Sequence, residues 1–316
     1  MDNRFVNNLK AVLEVLQSQF NEGSSLQHYR YLLIDRLAVV SELSPLYDEA
    51  LQDNIAPELL AVIKRPELAH SLTSCPLLVC IAEPNEQLNQ NLFVSALRQI
   101  NIDYLTSKQY VCGFLASPLP PESLADELLN AGLIAGKALG RRFLPFYEPF
   151  TLDVLWHSYE APKSHLGLLL PDDTHYYFIN TNGDCCVFHA IDYEDEKEFA
   201  QRFVNPKLRF NLLNQAALYH LVVTWQDLCE QQKKPLSEQA LSRIMALFYD
   251  PQATQLDNDQ DRRAYVLFSL QYGQLMTNEE LSKLIKEVIE DSHKQGQLGY
   301  LLSQRKEALS LLSQAQ

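Results

Sequence analysis

At 316 residues the chain exceeds what one hydrophobic core usually supports, so two lobes are expected. Its 47% hydrophobic and 21% charged residues describe a globular composition and exclude a disordered one. Twenty-six basic residues against 40 acidic give a net charge of −14, without any basic cluster, which argues against nucleic acid and anionic membranes as partners.

The opening M-D-N-R-F-V-N-N-L-K is polar where a signal peptide needs an apolar core, and no run reaches the roughly 20 apolar residues of a membrane span, so a cytoplasmic protein without membrane insertion is expected. Phe5, Leu9, Val12, Leu13, Leu16 and Phe20 recur at helical spacing and predict an amphipathic helix over 3–20. A first strand follows over 29–35, then a helical or irregular stretch over 38–51 and a short helix over 59–63 behind Pro57. Residues 74–82 read as a buried strand, because Leu77-Leu78-Val79-Cys80-Ile81 has no polar interruption. A helix is expected over 86–100.

The centre of the chain, 111–156, reads as strand, helix, strand, helix. The first strand, 110–116, has Gly113 inside it and stops at Ser117-Pro118. Ser123, behind Pro120-Pro121, has the side chain of a helix N-cap. An aromatic-rich strand over 142–148 is stopped by Pro149, and Thr151 would cap a turn carrying Leu152, Leu155 and Trp156. Further on, two strands at 175–179 and 185–189 flank N-T-N-G-D, whose Asn182-Gly183 supplies a hairpin turn. Beyond Ile191 only helical spacing remains, over 208–228, 237–248, 259–275, 278–292 and 298–312, and Thr277-Asn278-Glu279-Glu280 has the side chains of an N-terminal cap. The expected architecture is an α/β lobe on a mixed sheet over 1–192, then an all-α lobe over 193–316. Packing five amphipathic helices should leave an apolar groove, between helices of the second lobe or between the two lobes, in which a partner's amphipathic helix can lie.

Catalytic patterns are scarce. There is no P-loop, G-x-G-x-x-G, G-x-S-x-G or H-E-x-x-H, and no C-x-x-C among the six cysteines. No cofactor or metal is expected. In the cluster Cys185-Cys186…His189, Cys186 and His189 point to opposite strand faces, and Cys185 lies about 13 Å from His189, too far for a thiolate–imidazole pair. A plain strand is the favoured reading. Asp35 and Glu148 both end strands, and a small hydrolase or transferase using them as an acid/base pair is one functional alternative. Against it stands a structural reading: Asp35 caps the next turn, and Glu148 pairs with Arg141, Arg142 or Arg36. Phe146, Tyr147 and Trp156 read as core aromatics before they read as a ligand pocket.

G-F-L-A-S after Cys112, the S-L-A-D-E-L helix, and F-Y-E-P before an apolar helix resemble the signature region of the type VI secretion effector chaperones. Y-L-L-I-D at 31–35 and C-P-L-L-V at 75–79 match that family's order. Where the family pattern ends its strand Arg-Phe-Tyr-Asp-Pro, this chain has Pro145 for the arginine and Glu148 for the aspartate; Arg141 and Arg142 lie just upstream. The resemblance implies a non-enzymatic adaptor whose partners are an effector toxin and the spike protein VgrG. It singles out Asp35, Gly113, Ser117, Arg142, Phe146, Tyr147, Glu148, Pro149 and Trp156 as structural or partner-binding positions.

Overall fold

A computed structural model of the chain describes residues 14–18, 20, 26–237 and 239–314. Two compact units are present, Met1–Arg209 and Phe210–Gln316. The first carries a six-stranded sheet and the second is helical, an α/β lobe followed by an all-α lobe. The strands are β1 (Tyr29–Ile34), β2 (Leu60–Val62), β3 (Leu77–Ala82), β4 (Val111–Ser117), β5 (His175–Ile179) and β6 (Cys185–His189), in the order β2-β3-β1-β4-β5-β6.

All five pairings are antiparallel, where the sequence suggested a mixed sheet. Uninterrupted apolar strands usually signal a parallel sheet with both faces covered. Here both faces are covered without parallel pairing. On one face Leu32, Val79, Phe114 and Tyr177 share a core with Leu16 and Phe20, and with Phe93, Ala96 and Leu97 of α2 (Gln90–Ile102). Side chains alternate along a strand, so the neighbouring residues point the other way. There α3 (Pro121–Ala138) packs on β2 and β3, and Trp156 of α4 (Pro149–His157) meets Phe178 of β5 edge-on at 5.8 Å. Of the helix expected over 3–20, residues 14–18 and 20 are helical; the rest of that prediction lies outside the described residues.

Several local expectations shift. The segment expected as a helix over 59–63 is instead a 3-10 turn, Pro57–Leu59, running into β2, whose Leu60 pairs with Val79. The helix preceding it is α1 (Asp48–Asn54). Asn89 caps α2, its side chain accepting the Leu92 N–H at 3.2 Å. α3 begins at Pro121, so Ser123 lies inside its first turn, and Thr151 likewise lies inside α4. The largest correction concerns 142–148, which forms no strand. β4 already has β1 and β5 as neighbours, leaving no edge beside it, and Pro145 has no N–H to give a ladder. The segment instead lies on α3: the Leu144 N–H donates to the Gly132 carbonyl at 2.9 Å, and turns close from Phe146 to Leu144 and from Glu148 to Pro145.

Residues 193–209 belong with the first unit, past the boundary at 192 that composition suggested. Asp195 caps α6 (Glu196–Phe203), which buries Phe199 and Phe203, and the Tyr159 hydroxyl donates to the Phe203 carbonyl. A short helix, α5 (Pro162–Leu166), precedes the β5–β6 hairpin, whose turn places Gly183 at φ 84°.

The spans expected over 208–228 and 298–312 each divide in two: α7 (Pro206–Leu213), which runs across the boundary of the units, and α8 (Gln215–Gln231), and later α13 (Leu298–Ser303) and α14 (Lys306–Gln314) of the second unit. Between them lie α9 (Ala240–Phe248), α10 (Pro251–Thr254), α11 (Asp259–Tyr272) and α12 (Glu279–Glu290). Central α11 packs on α9 and α13. Its buried Asp261 accepts the N–H groups of Gly296 and Leu298, at 2.6 and 2.8 Å, and so anchors the start of α13. Asn278 caps α12 as expected, accepting from Leu281 N at 3.2 Å.

The loop over 142–148 can lie on α3 only because the helix has glycines beneath it. A Cβ at Gly136 would stand 2.8 Å from the Phe143 backbone, and one at Gly132 would stand 2.3 Å from the Phe143 ring. Alanine at Gly136 should therefore destabilise the protein by about 1–3 kcal/mol in urea denaturation, although alanine is the better helix former. A stabilised Gly136→Ala protein would show that the loop is not held against the helix.

Candidate functional site

Four segments distant in sequence meet at the end of the β1–β4 pair. The two strands are antiparallel, so the exit of β1 lies beside the entry to β4. Asp35 leaves β1, and its N–H donates to the Tyr110 carbonyl at 2.7 Å. Its carboxylate is buried, and Oδ1 accepts the Leu37 N–H at 3.0 Å, closing the turn. Lys108, in the loop entering β4, places Nζ 2.6 Å from Glu148 Oε1 and 3.6 Å from Asp35 Oδ2. Arg65 reaches the same glutamate oxygen with Nη1 at 3.4 Å, while its guanidinium lies over the Phe143 ring, 5.4 Å from the centroid. Two carboxylates and two cations thus form one clasp joining the β1 exit, the loop behind β2, the β4 entry and the start of α4.

Beneath the clasp the groups are neutral. Burial, opposed by Arg65, raises the Tyr147 phenol well above its ordinary pKa, and its hydroxyl has no hydrogen-bond partner among the described residues. Burial, reinforced by Asp35 and Glu148, likewise raises the Cys112 thiol. Burial works against the charge of Arg65, but Tyr147, Glu148, Glu67 and Asp35 outweigh it and raise the guanidinium pKa. The chemistry of this arrangement is that of fixed counter-ions above buried Tyr147 and Cys112. A nucleophile is not prepared here, because a neutral buried thiol is inert.

The residues singled out from sequence divide clearly. Asp35, Tyr147 and Glu148 come together. Phe146 is fully buried and Pro149 opens α4. Gly113 serves packing between strands, since a Cβ there would stand 2.6 Å from the Tyr176 ring and 2.7 Å from the Tyr177 carbonyl oxygen. Ser117 is buried at the far end of β4, its hydroxyl 2.8 Å from that of Thr174. Trp156 is half-buried against Phe178. Arg142 is exposed, outside the clasp. Arg36, offered as a partner for Glu148, instead donates to the Cys75 and Leu72 carbonyls and pairs with Asp48. Arg65 and Lys108 are the partners the sequence reading missed. Only the antiparallel β1–β4 register, which sets the β4 entry beside Asp35, marks Lys108; nothing local marks Arg65.

On β6, Cys185 pairs across the hairpin with Ile179 and His189 with His175, so the two sit at opposite ends of the strand. Burial pushes the Cys185 thiol up to about 12. Among the described residues no group of three or more His, Cys, Asp or Glu could hold a metal ion, and no helix is long and apolar enough to cross a membrane.

Two outcomes test this description. Asp35→Ala should cost about 1–3 kcal/mol, by orphaning the Leu37 N–H and removing a counter-charge from Lys108. Asp35→Asn should cost less, because an acceptor oxygen remains; equal losses in chemical denaturation would remove the capping role. At pH 8 a thiol reagent should leave the buried Cys112 and Cys186 unmodified in the native protein and label them on unfolding. Native labelling of Cys186 at the rate of a free thiol would contradict its buried environment.

Comparison with protein-family models, with curated proteins and with solved structures finds nothing that matches the chain.

Proposed function

We propose that the protein is a non-enzymatic adaptor of type VI secretion, which binds an effector toxin and delivers it to the spike protein. The observation that carries this reading is where the motif residues meet. Y-L-L-I-D contributes Asp35 and F-Y-E-P contributes Tyr147 and Glu148 to one clasp, with Cys112 of the V-C-G-F-L-A-S strand beside them. Residues drawn from such separated motifs hold the lobe together at a single point. A chain that places its signature in its interior leaves its surface free to match a particular partner.

The loop that Asp35 anchors supports a binding role. Val39 is 88% exposed and Leu43 is 95% exposed, with Leu37 also presented to solvent. Apolar side chains held out on one loop suit a protein contact. In this reading the adaptor covers an apolar segment of the effector and gives it up when the spike competes. One observation favours a second reading, a hydrolase or transferase: Asp35 and Glu148 do share a lysine. Against it, both carboxylates are engaged by cations or backbone N–H groups.

Co-expression with the spike and toxin encoded by neighbouring genes should yield a complex that co-elutes in size-exclusion chromatography. Val39→Asp/Leu43→Asp should weaken it at least about tenfold with unchanged thermal unfolding, as expected for exposed contacts. A chain that binds neither protein, yet turns over a small substrate in a manner abolished by Glu148→Gln, would establish the enzyme instead.

A further inference from the structure

The first unit has a second feature, which shares no residue with the Asp35 clasp. A groove of about 720 Å³ runs between the segment after β4, one side of α3, and the stretches that lead into and out of the β5–β6 hairpin. Half-buried Leu119, Ile134, Ile191 and Tyr193 give it an apolar lining, and Glu127, Asp172, Asp173 and Asp192 stand among them. The three aspartates also line an adjoining recess of about 430 Å³, together with His175 and His189. Among the described residues no lysine or arginine lines either space.

The cations in the neighbourhood are engaged elsewhere. Arg202 donates to the Asp192 backbone carbonyl at 2.9 Å and pairs with Glu198 at 3.0 Å, leaving the Asp192 carboxylate to the groove. Lys137 pairs with Glu196. His28 Nε2 lies 3.0 Å from Asp173 Oδ2, but that carboxylate is still 63% exposed. Asp172 and Asp192 face each other: hydrogen bonding to Asp192 and repulsion from its charge raise the Asp172 pKa. Like charges brought together without a cation between them are unfavourable, and a positive group supplied from outside relieves the repulsion.

The apolar lining tells against a bare cation as the occupant, as does the absence of any metal-holding group among the described residues. We propose that this groove docks a basic, amphipathic segment of a partner protein, with its apolar side chains against Leu119, Ile134 and Ile191 and its lysines or arginines on Asp172, Asp173, Asp192 and Glu127. An apolar floor with an acidic rim recognises that chemistry, the floor setting the lifetime of the complex and the rim its rate of formation. The groove would serve such a segment whether or not its owner is a secretion effector. It also lies on the α/β unit, whereas helical periodicity alone had pointed to the second lobe or to the space between the lobes.

The test uses the full chain and a fluorescent synthetic peptide of leucine and lysine in helical amphipathic order, followed by anisotropy at physiological ionic strength. A second peptide carries glutamate in place of every lysine. The lysine peptide should bind and the glutamate peptide should not. Asp172→Asn/Asp192→Asn should weaken binding about tenfold or more. The same charge change at exposed positions outside the groove, Asp53→Asn/Glu58→Gln, should leave affinity within about twofold. Ile134→Asn should weaken binding through the floor. Equal weakening by the two charge variants would mean that net charge alone attracts the peptide, and the docking site would be withdrawn. Equal binding of both peptides, no binding of the lysine peptide, or saturation of the aspartates by magnesium or calcium without peptide binding would overturn it as well. The two peptide arms need no variant, so they decide the matter even if a substituted protein fails to fold.

Discussion

β1 lies between β3 and β4 with both of its faces covered, and the first unit depends on that position. A strand so placed must satisfy its backbone on both edges and carry apolar side chains on both sides. Tyr31, Leu32, Leu33 and Ile34 meet the second demand with complete burial. Arg30 is the exception, a fully buried cation at the head of the strand. Its guanidinium donates to the carbonyls of Phe20, Glu83 and Glu86, at 3.1, 2.6 and 2.8 Å. Burial lowers its pKa. A charge withdrawn from water persists where hydrogen bonds replace its hydration, and here they also tie residue 20 and the loop after β3 to the central strand.

The other end of β1 is held by a different device. Asp35 turns the chain by capping its own loop, and Lys108 then links it to Glu148 at the mouth of α4. Arg65 completes the set from the segment behind β2. A partly buried network of this kind adds little net stability over an apolar substitute, but it fixes which segments stand together, because removing one member strands the others. Pro145 brings no charge to F-Y-E-P, and the Glu148 carboxylate is met by cations from two other segments. Position in the fold, and not position in the motif, decides which cation serves.

Charge inside and charge outside are used differently. Within the clasp each carboxylate has a cation at hand. Along the groove between α3 and the hairpin, aspartates accumulate with the nearby basic side chains turned to other partners. The groove thus sets Glu127, Asp172, Asp173 and Asp192 beside an apolar lining. Buried pairs are screened little by salt and exposed ones strongly, so ionic strength should act on association far more than on folding.

Local physics made much of the fold readable from the chain itself. The apolar runs over 74–82 and 110–116 read as buried strands, Asn182-Gly183 could close a hairpin, and Thr277-Asn278-Glu279-Glu280 carried the side chains a helix start needs. These signals act within a few residues. Strand direction, the fate of 142–148 and the identity of the partners of Glu148 do not. An aromatic run ending in proline pairs as a strand only where a sheet edge is free, and β4 had none. Leu60–Val62, with weaker apolar pattern, became a strand because β3 offered an edge. Lys108 and Arg65 acquired their roles when antiparallel pairing carried distant segments to the exit of β1. Hydrogen-bond ladders and ion pairs depend on which neighbour is present, and that neighbour is chosen by the packing of the whole chain.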